Sequence, residues 1–299
     1  MVNPYSTPKK IPHYYDMNKL LKRGIAAVVF SIVAGSAGAF TVDTATVATI
    51  RLATPMRVTV ITPDGAEKAT APLPSVYVLN GFGGGYRDWA GRVPGFGNQA
   101  DLYNIVLIMP DGRDSWYWDA PCDSTMQMES FFVKDLVPYM RAHYNTSADP
   151  RLTAITGLSM GGHGGLWLGT RHPDIWGNMG STSGGVNIMP FPKSWKMERL
   201  LGPQEGNEQV WQEHTVASLV PQMKANGQNI IFDCGSEDFF AKVNADLHQA
   251  LLDAKVPHDY ISRPGKHNWP YWSNSILYQL LYFSRAFDRA MLEDQQQSK

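Results

Sequence analysis

The sequence predicts an α/β fold with a mostly parallel central sheet, helices on both faces and an antiparallel N-terminal edge. Short continuous apolar runs recur along the chain, as expected of strands buried on both faces. Segments with helical spacing of apolar residues lie between these runs. Two β-branched segments precede the first run, as in an antiparallel pair at a sheet edge. Strands that alternate with helices form parallel sheets covered on both faces.

The first 39 residues are predicted to be a secretory signal peptide rather than part of this fold. Residues 24–40 are uncharged, follow basic residues, and include the small-residue sequence Ala37-Gly38-Ala39, which a signal peptidase would cleave after Ala39. This uncharged run is diluted by Gly, Ser and Ala, whereas a bilayer span needs about 20 mostly apolar residues. An uncleaved membrane anchor is the alternative. Met17 is a candidate for the true start, because it would give an n-region of ordinary length.

Residues 40–299 are predicted to form a single domain. Its antiparallel edge is assigned to residues 47–52 and 58–62, where β-branched residues roughly alternate with others. Residues 75–79 form the first buried strand, which runs directly into a glycine-rich loop at 80–85.

Buried strands and helices then alternate. Residues 105–109 form a strand that ends at a Pro-Asp-Gly turn, and residues 129–143 form a helix with apolar side chains at helical spacing. Residues 152–156 form the next strand, and a glycine-containing helix follows over 159–171.

The second half of the domain completes the sheet. The remaining elements are strands at 179–182, 229–233 and 260–261, a helix near 208–219, and a closing helix over 271–292. The polar and aromatic segment 186–228 is long for an ordinary connection, so it is a candidate cap over the site.

Composition excludes several classes of function. The 26 basic and 27 acidic residues give a net charge of −1, whereas nucleic-acid-binding proteins usually carry a basic excess. Cys122 and Cys234 are too few for a disulfide scaffold and lack the paired spacing of a zinc site. A free, buried Cys234 is the simpler expectation, and pairing of the two cysteines after export is the alternative.

Ser159 is the candidate nucleophile. It lies in Gly157-Leu158-Ser159-Met160-Gly161, which matches G-x-S-x-G between a predicted buried strand and a predicted helix. A nucleophile on such a turn needs small residues on either side, and the following helix N-terminus favours developing negative charge. A glycine-rich packing turn is the alternative.

A serine hydroxyl needs a base, and a base needs an orienting acid. His267 is the candidate base, because it is the downstream histidine on a loop between a strand and the last helix. Asp238 is favoured as the acid over Asp233 and Glu237, because it lies on the loop beyond a turn glycine. Capping of the helix that follows is the alternative role for Asp238.

Two backbone N–H groups are predicted to form an oxyanion hole. Met160 supplies one, directly after the nucleophile, and Phe82 in the glycine-rich loop supplies the other. The alternatives are a flexible turn or a phosphate loop, but the loop lacks the Gly-Lys-Ser/Thr of a Walker motif.

These motifs resemble the putative-esterase branch of the α/β-hydrolases, which includes S-formylglutathione hydrolases (esterase D), tributyrin esterases, carbohydrate esterase family 1 and the mycolyltransferases. The resemblance covers residues 47–287. It implies the α/β-hydrolase fold, hydrolysis of carboxylic esters, Ser159, Asp238 and His267 as triad, and Phe82 and Met160 as oxyanion donors. Asn80 stands where many relatives have His. The motifs that carry the resemblance are Leu79-Asn80-Gly81-Phe82-Gly83, Met109-Pro110-Asp111-Gly112, Glu129-Ser130-Phe131-Phe132, Gly157–Gly162, Asp233-Cys234-Gly235 with Asp238, and His267-Asn268-Trp269 with Tyr271-Trp272.

Aromatic residues are expected to crowd the rim of the site, where flat faces suit sugar rings or aromatic acyl groups. Trp118 and Trp269 are selected as substrate-binding residues, and burial of about half of the set in the core is the alternative. The set is Trp89, Trp116, Tyr117, Trp118, Trp195, Trp269 and Trp272.

The sequence therefore predicts a secreted or periplasmic serine esterase that acts on a small-molecule or carbohydrate ester. No cofactor, metal, nucleic-acid partner or stable membrane association after signal cleavage is expected. An acyltransferase that uses the same acyl-enzyme is the first alternative, and a catalytically inactive carbohydrate-binding relative is the second.

Overall fold

A mixed sheet of eight strands runs through residues 39–297, the part of the chain that the computed structural model describes; the predicted leader lies outside these residues. The strands are β1 (Thr41–Val47), β2 (Met56–Thr62), β3 (Ser75–Leu79), β4 (Val106–Pro110), β5 (Thr153–Gly157), β6 (Asn178–Thr182), β7 (Asn229–Gly235) and β8 (Asp259–Arg263).

The strand order is β1-β2-β4-β3-β5-β6-β7-β8. Strand β2 is antiparallel to β1 and to β4, and all the other neighbours are parallel. The predicted fold class is therefore confirmed, including the antiparallel N-terminal edge. Strands β5, β7 and β8 run in the same direction, so their carboxyl ends lie at one edge of the sheet, where ligands bind in such folds.

Helices cover both faces of this sheet. The α-helices of the described residues are α1 (Asp88–Arg92), α2 (Asn98–Tyr103), α3 (Met128–Phe131), α4 (Val137–His143), α5 (Met160–Arg171), α6 (Met197–Leu201), α7 (Glu208–Glu213), α8 (Val220–Asn226), α9 (Ala241–Asp253) and α10 (Trp269–Gln297). None of the helices between residues 39 and 297 has the length and apolarity needed to cross a bilayer.

Strand β3 shows why a continuous apolar run belongs at the centre of this sheet. Tyr77 and Leu79 pack into the apolar cluster that contains α5, whereas Val76 and Val78 pack into the cluster that contains α10. Successive side chains of a strand point to opposite faces, so both faces must be apolar. All five residues of β3 are buried.

The predicted boundaries of the edge strand are wrong. The strand lies at Thr41–Val47, not at 47–52, and pairs with β2 so that Val47 faces Met56. The residues after Val47 leave the sheet because their side chains have other partners. Arg51 binds Asp135 at 3.2 Å, and Leu52 is buried at 5% exposure and forms only an isolated bridge with Met126.

The predicted helix over 129–143 is interrupted. Between α3 and α4, Phe132–Leu136 forms a π-helical turn. Pro138 lies in the first turn of α4. Proline lacks a backbone N–H and clashes with the carbonyl four residues earlier, so a regular helix cannot pass through this position unchanged.

Candidate active site

Ser159 lies on a sharp turn between β5 and α5. Its backbone φ is 56° and ψ is −116°, a conformation that L-residues rarely adopt. The turn is possible because glycines lie two residues before and two residues after Ser159. A Cβ on Gly157 would lie 2.6 Å from the Leu79 carbonyl oxygen, and a Cβ on Gly161 would lie 2.5 Å from it, so neither position has room for a side chain. The turn therefore presents the serine side chain at the carboxyl edge of the sheet, as the motif predicts.

Three loops bring Ser159, His267 and Asp238 together. His267 Nε2 lies 2.9 Å from Ser159 Oγ, and His267 Nδ1 lies 2.8 and 3.0 Å from the two carboxylate oxygens of Asp238. Since a carboxylate only accepts, Nδ1 carries the proton and donates it to Asp238. Nε2 is then free to accept the proton of the Ser159 hydroxyl. This is the geometry of a nucleophile, its base and the group that orients the base.

The other two acidic candidates lie elsewhere. Glu237 is exposed and lies 3.7 Å from Lys266. Asp233 is fully buried, where it accepts hydrogen bonds from the Thr182 hydroxyl at 2.7 Å and the Gln279 amide at 2.7 Å. Burial raises the pKa of Asp233. Asp233 therefore joins strands β6 and β7 to α10, and Asp238 is the carboxylate that reaches His267.

The alternative role of Asp238, as the N-cap of the next helix, is not confirmed, because α9 begins at Ala241 and its N-cap residue is Phe240, which makes no side-chain cap hydrogen bond. Asp238 instead stabilises the turn that precedes this helix. Its Oδ1 accepts a hydrogen bond from the Phe240 N–H at 2.8 Å, directly before α9 begins. The two roles are compatible because a carboxylate has several acceptor positions. The carboxylate is fully buried, whereas the His267 side chain is 15% exposed. The bond to Phe240 thus holds the Asp238 carboxylate in place beside the His267 ring.

The glycine-rich loop passes directly against Ser159. A Cβ on Gly81 would lie 3.3 Å from Ser159 Cβ, and the next residue, Phe82, lines the same pocket as Ser159. Met160 begins α5, and the first N–H groups of a helix have no intrahelical acceptor. Both predicted oxyanion donors are therefore adjacent to Ser159 in the fold.

Sequence reasoning did not identify what holds this loop. The Asn80 side chain donates to the Gly81 carbonyl at 2.9 Å and accepts from the Gly112 N–H at 2.7 Å. The Tyr117 hydroxyl donates to the Asn80 carbonyl at 2.9 Å. Asn80 and Tyr117 are almost completely buried, so these bonds are shielded from water. The one feature of the sequence that indicated this arrangement was Asn80 itself, which replaces the His of many relatives.

A pocket of about 560 Å³ opens above Ser159 and has aromatic walls. Trp269, the predicted substrate-binding residue, is part of this lining. Trp195 lines it from the candidate cap 186–228. Phe239, which sequence reasoning did not select, lies 4.3 Å from the His267 ring, centroid to centroid. The other lining residues are Gly81, Phe82, Gly83, Gly84, Asp88, Arg92, Leu158, Asn268 and Trp272.

The prediction that Trp118 contacts substrate is corrected by the structure. Trp118 is fully buried, and its indole N–H donates to His163 Nε2 at 2.8 Å. His163 is also fully buried, and burial lowers its pKa to about 3, so the ring is neutral. Its Nδ1 then carries the proton toward the Gly185 carbonyl at 3.1 Å. The pair belongs to the core beneath the site.

The other aromatic residues that were expected at the rim divide into two groups. Trp89, Trp116 and Tyr117 are buried in the core, and Trp195 and Trp272 line the pocket.

Both cysteines are free. Cys122 is exposed and Cys234 is buried, which confirms the expectation of a free, buried Cys234.

Comparisons with known proteins agree with this architecture. A family model described as Putative esterase matches residues 49–283. An acetyl esterase of Caldicellulosiruptor saccharolyticus is 24% identical over 232 residues, which span 72% of this chain and 85% of that protein. The diacylglycerol acyltransferase/mycolyltransferase Ag85B of Mycolicibacterium smegmatis is 24% identical over 68% of this chain and 74% of its own length.

Solved structures show the same fold. A ferulic acid esterase superposes with a TM-score of 0.72 at 26% sequence identity, covering 83% of this chain and all of the other. The family match spans most of the chain and includes Ser159, Asp238 and His267. The predicted resemblance is confirmed: the chain belongs to the Putative esterase family of α/β-hydrolases, and it is a carboxylic ester hydrolase.

Proposed function

We propose that this protein is an exported serine esterase that cleaves its substrate through an acyl-enzyme on Ser159. The observation that carries the proposal is the position of the His267 ring, which lies within hydrogen-bond distance of Ser159 on one side and Asp238 on the other. Ester hydrolysis by this arrangement needs no cofactor, because the nucleophile, the proton acceptor and the oxyanion donors are all protein groups.

The proposed reaction has two halves. His267 Nε2 takes the hydroxyl proton as Ser159 Oγ attacks the ester carbonyl, and the N–H groups of Phe82 and Met160 stabilise the resulting oxyanion. The imidazolium returns the proton to the leaving alcohol, which leaves the acyl group on the serine. Water then attacks the acyl-enzyme with His267 again as the base, and the carboxylic acid is released. Asp238 stabilises the imidazolium in both halves.

The proposed substrate is an acylated carbohydrate or another small ester with a short-chain or feruloyl group. The pocket volume is within the range of small-molecule sites, and its Trp195, Trp269 and Trp272 side chains offer flat apolar surfaces for a sugar ring or an aromatic acyl group. The names of the acetyl esterase and the ferulic acid esterase support the same substrate class.

Acyl transfer is the second candidate function, because the similar protein Ag85B is named as an acyltransferase. A transferase must hold an alcohol at the acyl carbonyl and keep water out, which calls for a covered, dry channel. Here segment 186–228 contributes only Trp195 to the pocket, and polar groups line it, including Asp88, Asn268 and the 57%-exposed side chain of Arg92. This wetter surface favours hydrolysis.

We therefore expect hydrolysis to dominate over transfer. The protein is given an activated ester, such as a p-nitrophenyl acetate, with increasing concentrations of glucose or glycerol, and the free acid and the acylated acceptor are both measured. Free acid should be the main product at modest acceptor concentrations. An excess of acylated acceptor would replace the hydrolase proposal with a transferase.

We further propose that the protein is exported and loses its leader after Ala39, on the basis of the sequence pattern alone. Protein recovered from the exported fraction should begin at Phe40, as read by Edman degradation or mass spectrometry. Recovery of the intact leader from the membrane fraction would support an uncleaved anchor and contradict the proposal.

A further inference from the structure

A second cavity formed by described residues lies away from Ser159. It is a groove of about 730 Å³ at the beginning of β7 and β8, beside α10. Asp238 and His267 follow the other, carboxyl ends of these two strands. The proposed esterase mechanism therefore makes no use of the groove.

Four basic side chains line this groove: Lys224, Lys255, Arg285 and Arg289. All four are exposed, and none forms an ion pair with another residue in the described part of the chain. Asp259 is the carboxylate that lines the groove beside them. The chain as a whole has a net charge of −1, so this excess of positive charge is a local property of the groove.

Two of the cations lie on one face of the same helix. Arg285 and Arg289 are four residues apart on α10, where like charges repel and destabilise the helix. An anion between them would relieve that repulsion, because a guanidinium binds carboxylate and phosphate groups through paired N–H donors.

The adjoining walls of the groove are apolar. Tyr278 and Leu281 precede Arg285 on the same face of α10 and are 48% and 43% exposed. Ile231 and Ile261, from β7 and β8, complete this part of the lining. A purely ionic ligand would leave Tyr278 and Leu281 in water, whereas a ligand with an apolar body would cover them.

We propose that this groove binds a free, single-chain anionic amphiphile. Its carboxylate or phosphate head lies among the four cations, and its apolar body lies along Tyr278 and Leu281. The volume is of the size that small-molecule sites have. The apolar wall and Asp259 make the groove a poor match for a nucleic-acid backbone, which is recognised by extended positive charge.

Isothermal titration with octyl phosphate tests the proposal, with the Ser159→Ala variant used so that ester turnover cannot contribute. Saturable binding is expected, and octanol or inorganic phosphate alone should bind much more weakly. Replacement of both arginines (R285Q/R289Q) should weaken binding by about 10-fold or more, because two charge-assisted contacts are lost. The matched control K68Q/K134Q removes the same charge from exposed sites outside the groove and should leave binding unchanged.

A second variant distinguishes the contribution of the ligand's apolar body from that of its anionic head. Leu281→Gln changes an exposed position, so the fold should persist, and it should weaken binding of octyl phosphate but not of inorganic phosphate. Equal losses of octyl phosphate binding in R285Q/R289Q and in the control K68Q/K134Q would show that the anion is attracted non-specifically by positive charge. Loss of binding in Trp269→Ala with retention in R285Q/R289Q would place the ligand in the active-site pocket. Binding to phosphatidylcholine–phosphatidylglycerol vesicles without binding to octyl phosphate would indicate a membrane surface. Each of these three results would overturn the proposal.

Discussion

Replacement of Ser159 by alanine is expected to lower kcat by about 10³-fold or more, because the members of a catalytic triad act as a unit. The change removes the oxygen that we propose forms the acyl-enzyme, and it leaves the turn, the glycines around it and the His267–Asp238 pair in place. The measurement is kcat for a p-nitrophenyl ester, with circular dichroism to verify the fold.

Ser236→Ala is the matched control for this prediction. Ser236 is an exposed serine two residues before Asp238. It bonds to the Arg263 carbonyl through its backbone N–H, so its hydroxyl can be removed without disturbing the site. A fluorophosphonate probe should label the unchanged protein and Ser236→Ala, but not Ser159→Ala. An unlabelled natural chain would favour the inactive carbohydrate-binding relative, and full activity in Ser159→Ala would refute the assigned nucleophile.

Replacement of Asp238 by asparagine is expected to lower kcat by about 10⁴-fold, the size of loss found when the acid of such a triad is replaced. The cause is the tautomer of His267. An asparagine amide donates toward Nδ1, so the ring proton moves to Nε2, which can then no longer accept the hydroxyl proton of Ser159. The measurement is kcat across a pH series, compared with Glu237→Gln.

Glu237→Gln should change kcat very little, because Glu237 is exposed and contacts Lys266 rather than His267. Stability provides a further check on Asp238→Asn. The asparagine carbonyl can still accept the hydrogen bond from Phe240, so the turn before α9 should survive and the melting temperature should change little. Similar losses of activity at 237 and 238 would contradict the assignment of the acid.

The sequence was sufficient for features that depend on local pattern. Ser159 was predictable because its motif, the buried strand before it and the helix after it are contiguous, and His267 because it follows a strand on a loop. The choice of Asp238 over Asp233 depended on one turn glycine. The structure agrees, because Asp233 is still within β7 and points to Thr182 and Gln279.

Features that depend on tertiary packing could not be predicted in the same way. Trp118 and Trp269 are the same residue type, yet one is a core residue and the other lines the pocket. The difference comes from His163, which gives the Trp118 indole a buried partner and which is far away in sequence. Arg92 was missed because α1 is a five-residue helix, too short for periodicity to reveal.

The hydrogen bonds of Gln279 determine how late in its synthesis this protein can become active. Gln279 donates to Asp233 and to the Ser181 carbonyl, and accepts from the Thr156 hydroxyl, so one side chain of α10 connects the strands that precede Ser159 and Asp238. Gln279 and His267 are both synthesised after residue 266, and a chain emerges from the ribosome N-terminus first. A nascent chain therefore lacks its proposed base until residue 267 has been made. It can become a hydrolase only after α10 has packed onto the sheet.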